Sequence, residues 1–132
     1  MELADCGIVT ERRPDGTNPI GTYLRGTSNS ARKTFTIVDL TYFTGIKDTI
    51  NFLYTNAHVI ILPVSVNKFS NITFRYTSID IIVALYDGKI SYPDNTWHNS
   101  SSATKMYVLD EHVSKYGNVP GVTFLPMSEL VL

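Results

Sequence analysis

The sequence predicts a mainly β fold, a single-domain antiparallel β-sandwich or small β-barrel of about seven to nine strands with one short helix. Two observations carry this. Over residues 34–43 and 72–76 the side chains alternate with the period of a strand, and over 59–66 and 81–85 β-branched and other apolar residues follow one another in runs too short for a helix. Clusters rich in Gly, Pro, Asn and Asp separate these runs, as turns would.

The apolar residues are densest over 49–87, which is the expected core. Residues 34–43 (TFTIVDLTYF) form the clearest strand outside it, and Thr44-Gly45-Ile46-Lys47-Asp48 predicts a hairpin turn leading into residues 49–55. The continuous run at 81–85 fits a strand covered on both faces. Shorter strands are expected around Ile8 and Val9, at 20–24, from Lys105 and at 122–125. Residues 110–116, opening on Asp110 and closing before Gly117, predict the single helix. No internal repeat or linker is evident, so residues 1–132 are expected to be one β-rich domain.

Eleven basic residues against twelve acidic ones leave no electrostatic footprint for nucleic acid or an anionic membrane. Cys6 is the one cysteine, which excludes an internal disulfide and a multi-cysteine zinc site. The longest apolar run is too short to span a bilayer and the N-terminus lacks a signal-peptide pattern, so a soluble, intracellular or virion-associated protein is expected. Charged residues make up 17% of the chain while Thr, Ser, Asn and Tyr are abundant, a balance common in virion and phage structural proteins. The apolar residues that finish the chain need cover from the body or a neighbouring subunit.

Chemistry is concentrated in two segments. Phe52-Leu53-Tyr54-Thr55-Asn56-Ala57-His58-Val59-Ile60 resembles the segment that presents the catalytic histidine in trypsin-like peptidases, and Ser78-Ile79-Asp80-Ile81-Ile82-Val83-Ala84-Leu85 is similar to the one that carries their aspartate. The resemblance implies His58 as general base and Asp80 as the carboxylate that orients its ring. No serine after Asp80 stands in a Gly-x-Ser-Gly frame, which would supply nucleophile and oxyanion hole. The expected function is therefore a non-catalytic structural, binding or assembly module, with a degenerate or half-length trypsin-like peptidase as the alternative. Its partner would be another protein or a second copy, met through sheet edges and the apolar C-terminus. Trp97 and Tyr92, in or beside a polar loop, are candidate binding residues. The three histidines, His58, His98 and His112, are too scattered to define a metal site, and no metal or cofactor is expected.

Overall fold

A computed structural model describes residues 26–43, 52–97 and 103–131. It holds five strands, β1 (Lys33–Asp39), β2 (Thr55–Leu62), β3 (Ser78–Ala84), β4 (Thr104–Val108) and β5 (Val122–Pro126), in one sheet ordered as in the sequence. Every neighbouring pair is parallel. The architecture is a β-solenoid, in which each turn of chain lays one strand beside the last, and this corrects the antiparallel sandwich or barrel expected from the sequence.

The hairpin between residues 34–43 and 49–55 is corrected with it, because β1 and β2 run the same way and their connection returns the chain to its starting edge. Residues 71–76 form turns, not a strand. There Ile72, Phe74 and Tyr76 mimic strand alternation, but Phe74 is buried while Ile72 is exposed and Tyr76 has a left-handed backbone (φ 54°). Residues 110–116 yield a short 3-10 helix, Asp110–Lys115. The expected strands near Ile8 and at 20–24 lie outside the described residues.

An internal repeat, contrary to the expectation of none, organises the centre. Lys33 pairs with Thr55 and Asn56 with Ser78, each 22 positions apart; the next rung is longer, Ile81 pairing with Lys105, and the last shorter, Thr104 pairing with Val122. Phe52-Leu53-Tyr54-Thr55 therefore lies beside Phe74-Arg75-Tyr76-Thr77. The Phe52 and Phe74 rings stack at 5.3 Å, Trp97 continues the pile on Phe74 at 5.5 Å, and Tyr54 stacks on Tyr76 at 5.1 Å. Both tyrosines hold positive φ, a conformation costly for a bulky residue, and each is followed by a wholly buried threonine at a strand start.

The core follows the same register. Phe35, Val38 and Leu40 point inward on the first rung, Ala57, Ile60 and Leu62 on the second, and Ile79, Ile82 and Ala84 on the third. In each set the first two members are three positions apart, so the chain bends there and strict alternation fails. Val59 and Val83 are also buried, which accounts for the unbroken apolar runs. The five buried polar residues among those described are all threonines: Thr55, Thr73, Thr77, Thr96 and Thr104. Thr77 donates to the Phe74 carbonyl and Thr104 to the Ile79 carbonyl, both at 2.7 Å. These buried threonines thus satisfy corners of the coil.

Arg32 ties three turns together. Its Nε donates to Asn56 Oδ1 (2.8 Å), Nη2 to the Tyr76 carbonyl (2.7 Å) and Nη1 to Asn29 Oδ1 (3.1 Å). It is committed within the chain, not a free loop cation. Arg32→Ala is expected to lower stability by about 1–3 kcal/mol in urea denaturation, and Arg32→Lys to recover only part, since a single ammonium cannot reproduce the planar fork. Ile82→Ala, in the centre of the core, is expected to cost about 2–5 kcal/mol in the same measurement.

Candidate functional site

His58 and Asp80 are 22 positions apart, one rung of the coil, and stand side by side on β2 and β3. His58 Nδ1 lies 2.9 Å from Asp80 Oδ2. The two side chains are 56% and 58% exposed, so the pair sits on the open outer face and not in a cleft. The carboxylate accepts from Nδ1–H, which directs the Nε2 lone pair outward. That atom can take a proton or meet a ligand.

Trp97 is not displayed for a partner. It is 2% exposed and packs between Phe69, Phe74 and Phe124, with its Nε1 buried and without a hydrogen-bond partner. Gly121 enables this closeness: its backbone has φ +91° and a Cβ there would come within 3.0 Å of the Trp97 Cβ. Tyr92 is half-buried, edge-on to Trp97 and stacked on Phe124, with the Lys89 ammonium 4.9 Å above its ring. Burial, aided by the nearby Asp94 carboxylate, raises its pKa against a hydrogen bond from the Gly117 backbone.

The aromatic cluster ends at a depression of about 250 Å³ where the apolar Val113, Tyr116, Val119, Val122 and Phe124 are joined by Gly117, Asn118 and Thr123. Tyr116 is its anchor. Its hydroxyl accepts from Ile90 N–H at 2.8 Å, and its ring stacks on Phe124 at 4.6 Å.

At the other side of the 3-10 helix, His112 Nε2 meets Asp87 Oδ1 at 2.8 Å, with Glu111 adjacent. Two members of this group are carboxylates that read locally as a turn residue and a helix start, so spacing among the histidines does not reveal it. The signal available was a lone histidine flanked by acid on a segment able to fold back.

No family model, curated protein or solved structure matches the chain. Among the described residues no helix is long and apolar enough to cross a membrane.

Two outcomes are expected here. Asp80→Asn changes stability by less than about 1 kcal/mol in denaturant titration, because an exposed pair is screened by water. Tyr116→Phe costs about 1–3 kcal/mol at neutral pH, since the buried Ile90 N–H loses its acceptor. Burial raises the Tyr116 pKa above its ordinary value of 10.0, so the folded state favours the neutral phenol. Its contribution is intact below that ordinary value and lost as pH climbs through the raised one. Tyr116→Phe is therefore expected to flatten the alkaline loss of stability, measured by urea unfolding on either side of that range.

Proposed function

We propose that the chain is a non-catalytic solenoid module that assembles with a second copy of itself through the rung that carries β5. One observation carries this reading. The inward column Val38, Ile60, Ile82 and Met106 is sealed on four successive rungs, but Phe124, its member on β5, is only half-buried and borders the 250 Å³ depression. The apolar core runs out to the surface at that end. An uncovered rung of a solenoid needs a polar cap or a neighbour, and on β5 Val122, Phe124, Leu125 and Pro126 are half-buried apolar residues beside the exposed Thr123. Two such ends meeting about a two-fold axis would bury the same patch on both copies. The low charge and hydroxyl-rich composition support a virion or phage structural setting for such a module.

A second reading is favoured by the 2.9 Å contact between His58 and Asp80, namely a degenerate trypsin-like hydrolytic framework. It requires a nucleophile brought to His58 Nε2. Peptide or ester hydrolysis that His58→Ala abolishes would support it.

Light scattering coupled to size exclusion tests the assembly. The parent is expected to show a concentration-dependent dimer and Phe124→Asp a monomer with unchanged far-ultraviolet circular dichroism. A parent that stays monomeric at the highest concentration it tolerates overturns the proposal.

A further inference from the structure

We propose that Asp87, Glu111 and His112 form a binding site for a divalent transition-metal ion of the zinc class. One ligand atom from each side chain lies within 4.8 Å of the others. The residues come from two segments, Asp87 from the bend after β3 and Glu111 with His112 from the opening of the 3-10 helix Asp110–Lys115. Those segments are fastened together independently of the cluster, because Tyr116, which ends the 3-10 helix, accepts from Ile90 N–H and donates to the Gly88 carbonyl (3.4 Å). The His112 side chain is 12% exposed while that of Asp87 is 85% exposed, so a packed imidazole presents Nε2 to a water-accessible carboxylate.

The donor set selects the ion. Two carboxylates balance a divalent charge, and the imidazole nitrogen favours zinc and its first-row neighbours over magnesium and calcium, which prefer oxygen. Remaining coordination positions would be filled by water. Lys115 is the natural competitor. Its Nζ lies 2.8 Å from His112 Nδ1, and an ammonium can only donate, so in the metal-free protein Nδ1 accepts and Nε2–H donates to Asp87. Metal binding requires the opposite tautomer: the Nε2 proton leaves to solvent, Nδ1 takes one up, and the exposed Lys115 swings away. The site does not rest on the assembly reading, since its ligands line neither the depression nor β5.

Isothermal titration with zinc chloride tests it, using the full chain in a Cys6→Ser background so that the thiol cannot contribute. One equivalent is expected to bind saturably. His112→Ala and the exposed-site variant Asp87→Asn should each weaken binding roughly tenfold or more, and Lys115→Gln should tighten it. His58→Ala, which removes the imidazole on the sheet face, should bind as the parent does. Absence of saturable binding, affinity untouched by both His112→Ala and Asp87→Asn in folded protein, or weaker binding in Lys115→Gln overturns the site.

Discussion

Parallel stacking in a nearly constant register is the constraint on which the rest of this structure depends. Once β1, β2 and β3 are laid down 22 residues apart, each side chain meets its counterpart one turn later at the strand spacing of about 4.8 Å. Like residues then form columns: Phe52 on Phe74, Tyr54 on Tyr76, Ile60 on Ile82. Apolar columns exclude water from the interior of the coil, and buried threonines close the hydrogen bonds at its corners. The two tyrosines in left-handed backbone show that the register also tolerates local strain, because ring stacking and the adjoining corner bonds offset it.

The same constraint explains the candidate chemistry. His58 and Asp80 are partners because they occupy equivalent positions on successive rungs, so their pairing follows from the coil whatever its use. An exposed hydrogen-bonded pair of this kind contributes little to stability. The step lengthens from β3 to β4, where Met106 is still sealed, and shortens from β4 to β5, where Phe124 is only half-buried.

Several strands were legible in the sequence. Residues 79–86, 105–109 and 122–125 overlap β3, β4 and β5, and the apolar run at 81–85 matches a strand buried on both faces. Strand direction was not legible, because alternation and turn residues are shared by hairpins and by coil corners. The continuous apolar character of 59–62 and 81–84 was the clue to a parallel sheet, and the repeated Phe-x-Tyr-Thr at 52–55 and 74–77 was the clue to its period. Trp97 illustrates the limit of local reading: its loop is polar in sequence, yet the indole turns inward to complete a ring column that begins 45 positions earlier at Phe52. The His58 and Asp80 pair was singled out by the resemblance of its two segments to those of trypsin-like peptidases, whereas the group at His112 is completed by Asp87 only when the chain folds back on itself.

The most direct test of the parallel register is cysteine cross-linking on the outer face. In a Cys6→Ser background, Asn56→Cys with Ser78→Cys places two thiols on directly paired positions of β2 and β3, while Thr34→Cys with Ser78→Cys places them two rungs apart. Mild oxidation of folded protein is expected to form an intramolecular disulfide in the first pair and not in the second, whose Cα atoms would lie roughly 10 Å apart, beyond disulfide reach. Ready closure of the 34–78 pair, or failure of the 56–78 pair in protein with an unchanged circular dichroism spectrum, would contradict the solenoid and every column built on it.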